Sequence, residues 1–588
     1  MPAIAPVRST ALSALWRLVA LLALVPVLAR SQTAVWDNGS KTNQWGTANN
    51  WNPNSLPTAS SNVQFNSTDD NATVSNISLN GNQVANSLTF NNVDDNFSIV
   101  NGTGSNTLRL TSRTITRTSG SSGTQSLAFT TLAPQNDWDG GWTWNIGGAG
   151  SLTIASNITG GWGTNTKSGN GTLILSGNNT FGGATNISAG TLVAASDTAL
   201  GGSAWGNTIA SGAALGLQGN ISLNEGEFSV TGSGVGGTGA IQNVSGTNSL
   251  SAALDLGGNT TVGSTAGTLT VSGQVNLGSN TLTVTGAGGT NFSGSITSNG
   301  AITKTGSGTL TFSGSGANSS GGALAINDGT VLLNKSAGTN AYAGSGLTVG
   351  DGLGVSSSAV LRLGASNQIA DYAGTLTINS DGAFQLNNNV ESINTLAGTG
   401  LIDLGASGQL TVGINSGSST FGGSLAGTGT FEKTGSGTLT LTHNLDFSGT
   451  FVLAGGTLRL SDISVNLASL DLTGNSVIDF AGASDILSVG TLNLNGFTLT
   501  ITNWANAVDY FYAANWNGAV LNASGSAPMN QITFSGYGSA ATHWQSFDHQ
   551  ITPVPEPGAY GAMLLLLVTF SVGIQRFVKS RERHSCQN

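Results

Sequence analysis

A chain of 588 residues with 87 Gly and only 7% charged residues is too rich in Gly and too poor in charge for ordinary compact α/β domains, while its regular supply of Leu, Ile, Val and Phe excludes a disordered polar tract. The net charge is −10 and many of the bases (Arg8, Arg17, Arg30, Arg576, Lys579, Arg581, Arg583) lie at the two ends, so the body lacks the clustered Lys and Arg that nucleic acid or anionic lipid would need. The single cysteine, Cys586, leaves the body without disulfides or a thiolate metal site, and the abundance of Gly, Asn, Ser and Thr favours turns and strands over helix, so an all-β fold is expected.

Residues 1–34 carry Arg8 and Arg17, then the apolar run Leu18 to Ala29 and the small pair Val27-x-Ala29. That order of basic flank, short apolar core and small residues is a secretory signal peptide, which implies the Sec export machinery as a partner. The region 35–134 opens with Trp36, Trp45 and Trp51 and is expected to be an N-terminal Trp-rich β cap, because the first rung of a stacked array exposes an apolar end. Flat indoles could instead form a platform for sugar rings. Trp138, Trp142 and Trp144 pose the same choice. Two N-x-S/T triplets, at Asn71 and Asn96, are preceded by Asp and are possible glycosylation acceptors.

Within 135–460 one phrase recurs. It reads KSGNGTLILSGNNTFGGATNISAGTL from Lys167, KTGSGTLTFSGSGANSSGGALAINDGTV from Lys304, and KTGSGTLTLTHNLDFSGTFVLAGGTL from Lys433. Each copy sets a Gly-rich turn before apolar residues one apart (Leu173 and Leu175, Leu310 and Phe312, Leu439 and Leu441), the period of a strand with one buried face. A unit this short cannot close a core alone, so successive units must stack into a β-solenoid. The motif resembles the autotransporter-associated β-strand repeat, also called the passenger-associated transport repeat. The third copy departs from it by replacing the N-x-[FY] step with Leu445 to Phe447. The expected body is an elongated right-handed β-solenoid or β-helix with Leu173, Leu175, Ile187, Leu192, Leu310, Leu439, Leu441 and Leu458 facing inward. Lys167, Lys304 and Lys433 are expected to project outward at turns.

The segment 461–551 loses the repeat's beat and ends QITFSGYGSAATHWQSFDHQI; it is expected to be a C-terminal β cap using Trp504, Trp516, Trp544, Phe534 and Tyr537. Residues 552–588 hold Val554, Pro555, Glu556 and Pro557, then an uncharged run from Gly558 to Ile574, then Arg576, Lys579, Arg581 and Arg583. The run is long enough for one C-terminal transmembrane helix, whose basic end stays in the cytoplasm. This tail resembles the bacterial PEP-CTERM sorting signal. The resemblance implies processing by an exosortase-like membrane protease, anchoring in the inner membrane before processing, and delivery to the cell surface or extracellular matrix.

No motif for catalysis rises above background. The four His (His443, His543, His549, His584) have no metal-ligand spacing, and neither a nucleophile elbow nor a Walker loop is present, so no catalytic residue, cofactor or metal is expected. The favoured reading is a non-enzymatic, adhesin-like surface protein with extracellular polysaccharide as a possible partner and no nucleic-acid partner. The alternative is a β-helix lyase or hydrolase acting on polysaccharide, for which Asp371, Asp381 and Glu391 are the densest run of acids inside the repeats. An autotransporter carrying its own barrel would instead end in amphipathic strands.

Overall fold

The computed structural model describes residues 32–66, 76–136, 140–202, 206–516, 528–538 and 542–553. Nearly all of the regular structure among these residues is strand, broken by three single turns of 3₁₀ helix at Ala48–Asn50, Val235–Gly237 and Met529–Gln531. The chain divides into two compact units, Met1–Leu173 with Asn179–Gly182, and Ile174–Asn178 with Gly183–Asn588. Both are built by parallel stacking of short strands, one rung on the next, as a β-solenoid. In the first unit Ala34, Val63, Leu88, Ile115, Trp144 and Lys167 stand in register on successive strands, all buried. In the second, Leu269, Thr290, Leu310, Val331, Leu361, Phe384, Ile402 and Leu425 form one such inward column. The alternation seen in the sequence is what makes these columns, since every second side chain of a strand faces the same side. All eight residues expected to face inward are buried.

The three repeat lysines are a correction. They do not project outward at turns: Lys167, Lys304 and Lys433 are 0%, 1% and 1% exposed and occupy inward positions at or near the ends of their strands. Lys304 sits in a column between Val284 and Ile326, and Lys433 between Val412 and Leu453. Each ammonium turns into the Gly-rich bend that follows it. Lys167 Nζ donates to the carbonyls of Ser168 (3.0 Å) and Gly169 (2.8 Å). Lys304 Nζ donates to Thr305 (2.9 Å), Gly306 and Asp328 carbonyls, and Lys433 Nζ to those of Thr434 (2.7 Å), Gly435 and Gly455. An ammonium has three donors and no acceptor, so it suits a bend whose carbonyls converge without strand partners. Burial lowers all three lysines to about 8, which leaves them largely protonated at neutral pH.

The same arrangement recurs off the repeat. Lys335 Nζ donates to the carbonyl of Ser313 (2.8 Å), and Arg117 reaches those of Gly147 and Gly123 together with Gln125 Oε1. The one ion pair among the described residues, Arg459 with Asp479 at 2.8 Å, lies elsewhere.

A second device operates where the chain turns between sheets and a buried N–H has no carbonyl beside it. There a polar side chain from the following rung accepts the bond. In the second unit Thr185, Ile221 and Ile296 donate their N–H to Oδ1 of Asn207, Asn248 and Asn318. Lys335 donates to Gln368, Gln368 to Glu391, Leu396 to Ser419, Ile463 to Asp485, and Asp485 to Asp509. The first unit does likewise, Trp142 donating to Asn165 and Ile158 to Asn179. A buried N–H left without an acceptor costs about 1–3 kcal/mol, so each acceptor is a structural necessity.

Glu391 is one of them, accepting from the N–H groups of Gln368, Ile369 and Ser392, and burial raises its carboxyl to about 7. With the folded-state value above the ordinary 4.5, its stabilising contribution is complete below about 4.5 and is lost as pH rises through about 7. Glu391→Gln should flatten the pH dependence of the thermal midpoint across that window. An unchanged slope would show that the carboxyl titrates alike in both states.

Aromatic clusters lie toward the ends of the described chain. Trp36, Trp45 and Trp51 are fully buried, meeting edge-to-face at 5.0 and 4.8 Å and packing on Phe65. Trp142 and Trp144 are buried too, Trp144 against Phe181 at 5.7 Å. None of these five indoles can be a sugar platform. Near the other end Trp504 lies between Phe480 and Phe534, and the antiparallel strands Thr542–Trp544 and Gln550–Pro553 pair beside Tyr510–Trp516.

Candidate functional site

The sorting-motif residues Val554, Pro555, Glu556 and Pro557 and the basic residues Arg576, Lys579, Arg581 and Arg583 lie outside the described residues, as do the signal segment up to Ser31, Asn71, Trp138 and His584. Among the described residues no helix is long and apolar enough to cross a membrane, and no three His, Cys, Asp or Glu are grouped as metal ligands.

The acids singled out as a possible catalytic run do not converge on a groove. Asp371 is exposed in a loop; Asp381 is buried and accepts the N–H groups of Asp351 and Gly352; Glu391 caps its corner. Of the histidines, His443 is exposed, while the His549 ring stacks on Trp544 at 5.5 Å.

The outer surface of the second unit holds a depression of about 450 Å³. Four parallel strands form its floor: Leu445–Leu453, Ser464–Leu472, Ile486–Asn493 and Tyr510–Trp516. Their ladder is interrupted after Phe447, where Ser448 and Gly449 stand opposite Ala468 alone. That bulge lies beside a column of outward residues in register, Asp446, Asn466, Ser488 and Tyr512, one from each rung. Asp548 and His549 line the end beyond Tyr512.

Two properties separate this column from its neighbours. The first is aromatic: the rings of Tyr510 and Tyr512 lie parallel, 5.9 Å apart with a 2° interplanar angle. Burial together with Tyr510 and Asp548 raises the Tyr512 hydroxyl, so it stays a donor at neutral pH. The second is that the side chains of Asp446, Asn466, Ser488 and Tyr512 make no hydrogen bond to the described residues, whereas nearby outward columns are knitted together. There Asp471 accepts from Ser469 and Asn493, and Asp479 from Arg459, Thr502 and Asn503. No motif marks these four residues. The signal within one strand is Tyr510-Phe511-Tyr512, two outward rings flanking a buried one.

The passenger-associated-transport-repeat family matches three stretches, 166–194, 302–333 and 431–460. These contain the three buried lysines, their Gly-rich bends and the closing G-T-L or G-T-V. No curated protein and no solved structure matches the chain. The repeat is a β-solenoid repeat in this structure, and its similarity to passenger repeats points to an exported surface protein.

Proposed function

We propose that the chain is a non-enzymatic structural protein of the bacterial cell surface or extracellular matrix, exported and then sorted through its tail by an exosortase-like protease. The observation that carries this reading is the use made of buried ionisable groups. Lys167, Lys304, Lys433 and Glu391 hold bends and corners of the solenoid through backbone hydrogen bonds, as a scaffold requires. A polysaccharide lyase or hydrolase would instead aim such groups at substrate. The passenger-type repeats support export.

Residues 1–34 would direct the chain out of the cytoplasm, and the apolar run from Gly558 to Ile574 would hold it in the inner membrane with Arg576, Lys579, Arg581 and Arg583 inside. Pro555 and Pro557 disfavour helix in the sequence around them, so Glu556 would be offered to a protease as an extended peptide. Mass spectrometry of surface material from the native host should find the C-terminal peptide through Arg583 missing, and Glu556→Gln should leave precursor in the membrane. Surface protein with an intact tail would refute processing.

A further inference from the structure

We infer that the groove over Asp446, Asn466, Ser488 and Tyr512 binds a neutral polysaccharide strand, laid along the stacking direction of the rungs. The inference rests on the surface-protein reading and assigns that reading a partner and a place on the chain. Four rungs spaced about 4.8 Å apart give a track of roughly 14 Å, enough for a short run of sugar rings. Each rung offers one outward group to it: a carboxylate, a carboxamide, a hydroxyl and a phenol, in register. Sugar hydroxyls both donate and accept, and this set supplies both functions, with a carboxylate able to take two donors from neighbouring hydroxyls. At one end the Tyr512 ring, held parallel to Tyr510, provides a flat apolar surface of the kind the C–H face of a pyranose covers.

Charge decides the class of polymer. Asp446 and Asp548 both line the depression, and His549 is its one basic side chain among the described residues. An anionic polysaccharide would meet like charge there. A protein strand adding to a sheet edge would need free backbone donors and acceptors, but the floor strands Leu445–Leu453, Ser464–Leu472 and Ile486–Asn493 are each paired on both sides.

The test titrates the mature chain, purified from the surface fraction of its host, with cellohexaose, laminarihexaose and maltohexaose, and with oligogalacturonate as the anionic comparison, by isothermal calorimetry. At least one neutral hexasaccharide should bind and the anionic one should not. Tyr512→Ala should weaken binding about ten-fold or more, and so should Asp446→Ala, an exposed residue without an internal hydrogen bond whose loss leaves folding intact. Tyr372→Ala, at an exposed ring outside the groove, should bind as the parent does. Binding that survives both groove substitutions, equal binding of oligogalacturonate, or no binding of any neutral probe would overturn the inference. Fractionation of the same cells separates the two levels: surface-located protein that binds nothing removes the groove's role and leaves the surface reading standing. Shortened oligosaccharides in the titration would instead indicate hydrolysis and overturn the non-enzymatic reading.

Discussion

Replacing Lys433 with Glu should unfold the third repeat locally, at a cost of about 4 kcal/mol or more. The ammonium donates to the carbonyls of Thr434, Gly435 and Gly455 from a position 1% exposed, and a carboxylate there would bring a buried negative charge against those oxygens with no donor to offer. Lys433→Met is the informative partner. It keeps the length and apolar stem and leaves the bend's carbonyls short of a donor, a loss of about 1–3 kcal/mol. Because each rung contacts mainly its neighbours, a global midpoint understates such damage. Hydrogen exchange over Thr430–Lys433, Thr438–Leu441 and Leu445–Leu453 is the direct measurement. Protection in Lys433→Met equal to the parent's would mean that the ammonium has no part in holding the bend.

Gly456→Ala should be nearly as damaging, at about 3–5 kcal/mol. The residue has φ +69°, and a Cβ there would collide with the carbonyl oxygens of Gly435 and Gly437 and lie 2.7 Å from Lys433 Nζ. Gly329 stands in the same relation to Lys304. The Gly of G-T-L is thus the floor on which the previous rung's ammonium rests, and this explains why one motif contains both. Gly496 separates strain from collision, since it has φ +86° and a Cβ added to it would meet nothing within 4 Å. Gly496→Ala should cost only the left-handed backbone term, about 1–2 kcal/mol. Chemical denaturation followed by tryptophan fluorescence would rank the two, and equal losses would show that the bend relaxes around the methyl group.

The inward columns were legible because Leu, Ile, Val and Phe recur at period two beside Gly turns. The lysine phase was written in the same alternation: Ile302-Thr303-Lys304 and Phe431-Glu432-Lys433 place Lys two residues after a buried apolar side chain. Assigning Lys outward followed its hydration rather than its position, and hydration lost to the unpaired carbonyls of the bend. The corner acceptors were half visible. Asn favours turns, and Asn178-Asn179 follows the strand Thr172–Leu175, but that Asn179 would be buried and accept an N–H from the rung before it depends on which rungs stack. The groove was not legible at all. Asp446, Asn466, Ser488 and Tyr512 are far apart in sequence, and only the register of four rungs of unequal length aligns them.

The corner acceptors also give the stack a direction. The N–H of Ile463 is closed by Asp485, and the N–H of Asp485 by Asp509, so each rung completes the one before it and presents a fresh vacancy to the one after. Cutting the stack between these rungs would therefore leave a buried N–H open on the N-terminal piece and its acceptor on the C-terminal one.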